Sequence, residues 1–100
     1  MYNIDREKLT KRPEIRIGDK IYSIDNRLST FQRMRKELDE SQNMEMETVI
    51  SFGLGHDVYL ELLEMDLPFS VMEEIVIIIL AGIQDLEVDK ARQRFQNHNA

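Results

Sequence analysis

Hydrophobic and polar positions change their spacing along the chain, and each change predicts a new element. Between residues 14 and 24 they alternate around a Gly-Asp pair with glycine first, which favours a two-residue hairpin turn. Such a turn places Ile17 opposite Lys20. The alternation puts four apolar residues on one face, which we expect to pack on a helix: Ile15, Ile17, Tyr22 and Ile24.

After the hairpin, apolar residues recur every three to four positions, which predicts helices packed through one face. Ser29 and Gln32 have the spacing of a capping box and predict the start of a first helix. A second helix carries an apolar stripe that ends at Gly53, and Gly55 is placed to terminate it. A third, short helix is predicted with Asp57 as its N-cap.

The fourth predicted helix contains the most hydrophobic stretch of the chain, which is apolar without a break from Ile75 to Ala81. Ser70 and Glu73 form a second capping box before it, and its pattern continues to about Leu86. Only ten residues without a formal charge separate the flanking acids, so a membrane span, which needs about 20, is not expected. One broad face is expected to lie in the core: Met72, Ile75, Val76, Ile79, Leu80, Ile83 and Leu86.

Ile77 and Ile78 fall on the other side of this helix, at positions that a surface helix usually fills with polar residues. Packing through one face does not account for them. We therefore predict that Ile77 and Ile78 are partner-binding residues that face another copy or a client protein. The alternative is a helix that is buried on all sides within the monomer.

These elements predict one domain of mainly α class, in which about four helices pack with a short N-terminal β-hairpin (α+β with minor β). A chain of 100 residues supports one modest core. Within residues 1–100 we expect a loose arm over 1–12, the hairpin over 14–24, a helical body over 29–90 and a frayed tail over 91–100.

The charges are separated along the chain. Residues 1–36 carry a net charge of +5, residues 37–89 carry −14 with no lysine or arginine, and the whole chain carries −6. Either the two parts attract each other, within the fold or between subunits, or the acidic part meets a basic partner and repels nucleic acid. We predict no nucleic-acid binding, because the acidic part outweighs the basic part and because the basic stripe lacks a flanking aromatic platform: Arg27, Arg33, Arg35 and Lys36.

Candidate chemistry is sparse, and an enzyme is not expected. His56 and His98 are far apart in the sequence, and the acidic pairs have no neighbouring ligand cluster for a metal. The Gly-Leu-Gly at 53–55 is not a phosphate loop, since the stretch before it is helical rather than a strand. The absence of cysteine excludes a disulfide scaffold. We predict no cofactor, metal or catalytic residue.

The order of the segments adds a resemblance to this picture. "IRIGDKIYSID" leads into "RLSTFQRMRKEL", and "ISFGLGHDVYLELLEMDLPFSVMEEIVIIILAGIQ" follows. This arrangement resembles the tail assembly chaperones of long-tailed phages (siphophages) and prophages of Gram-positive bacteria, roughly from Glu14 to Lys90. The shared pattern is one of helix spacing and includes no catalytic signature.

The resemblance implies a non-enzymatic chaperone that binds the tape measure protein during phage tail assembly. It also implies self-association, a location in the host bacterial cytoplasm and absence from the mature virion. Members of the family are often made in a longer, frameshifted form that engages the tail tube protein, and a chain ending at Ala100 is expected to be the short form. The alternative function is a small phage or prophage regulatory protein that contacts nucleic acid through its basic N-terminal third.

Overall fold

The predicted mainly α fold with an N-terminal hairpin is confirmed. The computed structural model describes residues 1–41, 45–84 and 87–99, with side chains at 1–7, 9–41, 45–84 and 87–93. In chain order the elements are α1 (Arg6–Thr10), β1 (Glu14–Ile17), β2 (Lys20–Ser23), α2 (Leu28–Ser41), α3 (Met46–Leu54), α4 (His56–Glu64), α5 (Phe69–Gln84) and α6 (Val88–Asn99).

The hairpin has the predicted register, with β1 and β2 antiparallel and Ile17 opposite Lys20. Gly18 adopts a φ of +63° in the turn, a left-handed conformation that glycine reaches without a steric penalty. The predicted inward face lies on the core: Ile15 and Ile24 are buried, while Ile17 and Tyr22 are half-buried against it.

Backbone hydrogen bonds fix the base of the hairpin to the helices. The Ile24 N–H donates to the Pro13 carbonyl at 2.8 Å, and the Asp25 N–H donates to the Gly53 carbonyl at 2.8 Å. On α5, a Cβ at Gly82 would lie 3.0 Å from Ile24 Cδ1 and 3.1 Å from Pro13 Cγ. The hairpin base therefore rests on the C-terminal half of α5.

Helix α5 lies at the centre of a single hydrophobic core. Helix α3 packs against it, strand β1 touches it, and α6 packs against it as well. Six residues of α5 are buried: Ile75, Val76, Ile77, Ile79, Leu80 and Ala81. The core face predicted from the sequence is confirmed where it is described, and Leu86 lies outside the described residues.

The contact between α3 and α5 depends on a glycine. Gly53 faces Ile79, and a Cβ at position 53 would overlap the Ile79 Cγ2 atom. Ile79 is completely buried and has no free space into which to move. Gly53 thus sets how closely the two helices approach each other.

Asp25 organises the start of α2. Its carboxylate accepts hydrogen bonds from Arg27 Nε at 2.9 Å and Nη2 at 2.8 Å, from the Arg27 N–H at 3.2 Å and from Thr30 Oγ1 at 2.8 Å. Thr30 is only 1% exposed. The Arg27 side chain, with help from Thr30, holds the pKa of Asp25 well below its usual range.

The predicted capping boxes are wrong. Ser29 and Ser70 lie inside α2 and α5, each of which begins one residue earlier. At the start of α2, the Asp25 carboxylate instead accepts hydrogen bonds from the Arg27 N–H and the Thr30 hydroxyl. For α5, the Pro68 carbonyl accepts the N–H groups of Val71 and Met72, so the chain turns into the helix at the proline.

One glycine, Gly55, separates the last residue of α3 from the first residue of α4. Gly55 follows α3 with a φ of +107°, in agreement with its predicted role as a terminator. Asp57 lies in the first turn of α4 and not at its N-cap as predicted, because α4 already begins at His56. Its negative charge is still suited to a helix N-terminus.

The frayed tail predicted over 91–100 is also wrong for the described residues. Helix α6 covers Val88–Asn99, and Ala91 is 1% exposed within the core cluster. Arg92 Nη2 lies 2.6 Å from Glu74 Oε1 and 2.8 Å from Oε2 on α5. Helix α6 is therefore held on α5 by a buried alanine and an ion pair, which a hydrophobic pattern does not reveal.

Gly53→Ala is expected to destabilise the domain, although alanine is the better helix former. Overpacking costs about 1–3 kcal/mol, whereas the gain in helix propensity is about 1 kcal/mol. Ile79→Leu removes the Cγ2 atom, so the double variant should recover part of the loss. Urea unfolding of the wild type, the two single variants and the double variant measures this coupling. A Gly53→Ala variant as stable as the wild type would contradict the prediction.

Asp25→Ala is expected to lower the free energy of unfolding at pH 7 by about 1.5–3 kcal/mol, because the buried Thr30 hydroxyl loses its acceptor. The folded-state pKa of Asp25 is depressed, so its contribution is present above the unfolded-state pKa of about 4 and is lost as the pH falls towards the folded-state value. The gap between wild type and variant should therefore be constant from about pH 7 to 5 and shrink below about pH 4. Asp39→Ala, an exposed site on α2, is the control that should show no such gap.

Candidate functional site

The prediction that Ile77 lies on an exposed face is wrong. Ile77 is 2% exposed and belongs to the core cluster, and Ile78 is half-buried against the same cluster. Contact of Ile78 with a partner stays a prediction. Ile77 is therefore part of the monomer's own core and not of an exposed partner surface.

Helix α6 explains this burial. Glu74, Ile77, Ile78 and Ala81 share one stripe of α5, at intervals of three and four residues. Glu74 holds Arg92 of α6, and Ala81 is buried. Helix α6 therefore covers the side of α5 for which the sequence predicted an external partner. The wrong predictions for Ile77 and for residues 91–100 have this one cause.

Exposed apolar side chains are concentrated instead where α4 turns into α5. We call this surface the α4–α5 corner and define it by five residues that are 39–70% exposed: Leu60, Leu63, Met65, Phe69 and Val71. Neighbouring Leu62 is fully buried, and Leu67 packs on the core. The corner is thus a face of a folded helix pair whose interior is already occupied.

The backbone of the corner is well defined. The Met65 N–H donates to the Glu61 carbonyl at 3.2 Å, and the Asp66 N–H donates to the Leu63 carbonyl at 3.1 Å. Asp66 has a φ of +49°, a left-handed conformation that aspartate tolerates better than most residues. This turn, followed by Pro68, fixes the angle at which the apolar residues of α4 meet those of α5.

The charges around the corner are acidic. Glu64 and Asp66 are exposed between its apolar residues, and Glu73 follows on α5. No lysine or arginine occurs in the sequence from 37 to 89. An apolar surface with an acidic rim favours a partner segment that combines apolar with basic residues.

Glu61, beside the corner on α4, has a structural task. Its Oε1 accepts from Lys20 Nζ at 2.7 Å and from Tyr22 Oη at 3.0 Å. The hydrogen bond from Lys20, followed by that from Tyr22, lowers the pKa of Glu61. Glu61 therefore stays ionised and joins β2 to α4, which leaves the remaining acids of the corner for its rim.

The basic stripe predicted on α2 is partly used within the fold. Arg27 binds Asp25, and the Arg33 guanidinium lies over the Phe52 ring at 5.8 Å from its centre. Arg35 and Lys36 are exposed beside Asp39 and Glu40 of the same helix. The Phe52 ring does lie next to the stripe, but the Arg33 guanidinium already lies over it.

The residues considered for catalysis are not brought together. His56 stacks on Tyr59 with 6.1 Å between ring centres, and His98 falls where side chains are not described. In the described residues, no group of three or more acidic or histidine side chains is placed to hold a metal ion. Within the same ranges, no helix has the length and apolar character that crossing a bilayer requires.

Comparison with known proteins adds no assignment. No protein-family model matches the chain, and no curated protein or solved structure matches it either.

The sequence carried a signal for the α4–α5 corner. Val58, Tyr59 and Leu62 share one face of α4 and supply its contacts with the core. Leu60 and Leu63 point away from that face. Leu60 and Leu63 are thus apolar residues off the core face of α4, the same feature that led to the prediction for Ile77 and Ile78 on α5.

Ile77→Asp is expected to unfold the domain as severely as Ile79→Asp, because both place an unpaired charge in the core. Val71→Asp is the matched control, since Val71 is also β-branched, lies on α5 and is 39% exposed. Its stability should stay within about 0.5 kcal/mol of the wild type. Thermal unfolding followed by circular dichroism measures all three, and a folded Ile77→Asp variant would restore the exposed surface first predicted.

Proposed function

We propose that the protein is a chaperone that holds an apolar segment of a client polypeptide on the α4–α5 corner. In the terms of the resemblance described above, it is a phage tail assembly chaperone and its client is the tape measure protein. It would act in the host bacterial cytoplasm and be absent from the mature virion. The observation that carries the proposal is the exposed apolar corner on an otherwise acidic surface.

The apolar side chains of the corner supply the affinity. Covering a fully exposed large apolar side chain contributes about 1.5–3 kcal/mol, and the corner residues still have 39–70% of their surface to bury. Three of them together therefore offer roughly 3 kcal/mol, enough to change an affinity by about a hundredfold. Such binding protects an aggregation-prone segment without any chemical step.

The acidic charge supplies selectivity. Glu64 and Asp66 attract basic residues that flank an apolar client segment and repel acidic ones. The chain's net charge of −6 also opposes aggregation of the loaded complex. This is the second of the two explanations offered for the charge separation, an acidic surface that meets a basic partner.

The test is co-expression of the protein with a tape measure protein encoded beside it. The triple variant Leu60→Ser, Leu63→Ser, Phe69→Ser is expected to lower the soluble yield of the client, and its co-purification, at least tenfold. Leu28→Ser is the control, because Leu28 is 69% exposed but lies on α2. Circular dichroism verifies that both variants stay folded.

Two outcomes would contradict the proposal. One is a triple variant that is folded and solubilises the client as well as the wild type does. The other is salt-dependent retention of the wild type on DNA at physiological salt, lost on charge reversal at Arg35 and Lys36, which would favour the regulatory function instead.

A further inference from the structure

The first twelve residues form a second exposed apolar surface of the opposite charge. Helix α1 is one short turn in this arm (residues 1–12), and all of its described side chains are exposed. The arm has four basic and two acidic residues. Its large apolar side chains are 70% exposed or more: Met1, Tyr2, Ile4 and Leu9.

We propose that the arm of one copy docks on the α4–α5 corner of a second copy. The arm has the composition that the corner favours, apolar side chains interleaved with basic ones. The corner offers the complement, apolar side chains interleaved with Glu64 and Asp66. In the described residues neither surface is covered by another part of the monomer.

The two surfaces lie near opposite ends of α5, and both are exposed in the monomer. The arm leaves the body at Pro13, which rests on Gly82 near the C-terminal end of α5. Phe69, at the corner, begins the same helix thirteen residues earlier, about 20 Å away along its axis. Docking between copies can therefore be reciprocal, in a two-fold dimer that exchanges arms, or continue head-to-tail into rings or open chains.

The reach of the arm is sufficient for this contact. Twelve residues span up to about 40 Å when extended, so the arm extends well beyond its own anchor at Pro13. The Lys11 carbonyl accepts from Asn26 Nδ2 at 3.3 Å, which ties this end of the arm to the body through its backbone. All four apolar residues of the arm precede this anchor, and Met1, Tyr2 and Ile4 are the furthest from it along the chain.

The inference rests on the proposed function in one respect, since arm and client would compete for the same surface. A neighbouring copy's arm covers the corner until a client with more apolar contacts displaces it. Self-association should then fall as client is added. Removing the arm's apolar residues should leave client binding intact or improve it.

The experiment compares two variants of the full chain by analytical ultracentrifugation. The arm variant is Tyr2→Ser, Ile4→Ser, Leu9→Ser, and the corner variant is Leu60→Ser, Leu63→Ser, Phe69→Ser. Each alone is expected to weaken self-association of the wild type at least tenfold. Mixed together they should form a heterodimer and stop there, because one supplies only a functional corner and the other only a functional arm.

A charge exchange tests the register of the contact. Arg6→Glu with Lys11→Glu in the arm, or Glu64→Lys with Asp66→Lys in the corner, should each reduce self-association at least tenfold. The two pairs combined in one chain should restore it. Far-UV circular dichroism of each protein verifies that helix content is unchanged.

Failure of this inference differs from failure of the proposed function. If the wild type is monomeric, if either variant assembles like the wild type, or if the mixture stays monomeric, arm docking between copies is overturned, whatever the client does. If both variants lose self-association but the corner variant still solubilises the client, the arm contact stands and the client site is overturned.

Discussion

The burial of α5 on two opposite faces is the constraint on which the rest of the domain depends. Its core face meets α3 at Gly53, where the absence of a side chain lets Ile79 approach. Its other face carries Ile77 and is covered by α6. A helix that is apolar nearly all round needs both covers, because each isoleucine left in water would forgo about 2–3 kcal/mol.

Among its described side chains, α6 brings few apolar atoms to the second face of α5. Ala91 is the buried residue that α6 contributes among its described side chains, and Arg92 adds two hydrogen bonds to Glu74. A small residue at the contact lets the helix axes approach closely. On the α5 side of this contact, Ile77 is buried and Ile78 is half-buried.

These contacts between α5 and α6 explain what the sequence could and could not predict. The hairpin register follows from local turn chemistry, and the core face of α5 follows from helical spacing, so both were predictable. A helical projection shows which faces are apolar but not what covers them, so Ile77 was assigned to a partner. The segment 88–99 is mostly polar, and its few apolar positions, Val88, Ala91 and Phe95, were not recognised as one face of a helix that packs on α5.

The helix starts were missed for a related reason. A capping box is a local pattern, but the carboxylate at the start of α2 belongs to Asp25, whose N–H is bound to Gly53. Tertiary contacts position that carboxylate before the helix begins, and Ser29 is then not needed as a cap. Local propensity gave the right elements here and the wrong terminal residues.

Comparison of α4 with α5 shows where an apolar surface remains open. Both helices carry large apolar residues away from their core faces, Leu60 and Leu63 on α4 and Ile77 and Ile78 on α5. Helix α5 has α6 to cover that second side. Leu60 and Leu63 remain about half exposed. In a domain of 100 residues there are too few helices to cover every apolar face, so the faces at the edge of the fold are the ones available to other chains.

The charge separation acts on the same edge. Lys20 binds Glu61 and Arg92 binds Glu74, so basic residues from both ends of the chain do pair with the acidic middle, as the first explanation of the charge pattern required. These two pairs neutralise only a small part of the −14 carried by residues 37–89. Glu64, Asp66 and Glu73 are part of this surplus and surround the α4–α5 corner, where their field extends about 8–10 Å at physiological salt. In the proposed binding, this field attracts a basic, apolar segment before any apolar contact forms, and burial of the leucines and Phe69 then determines how long the segment stays.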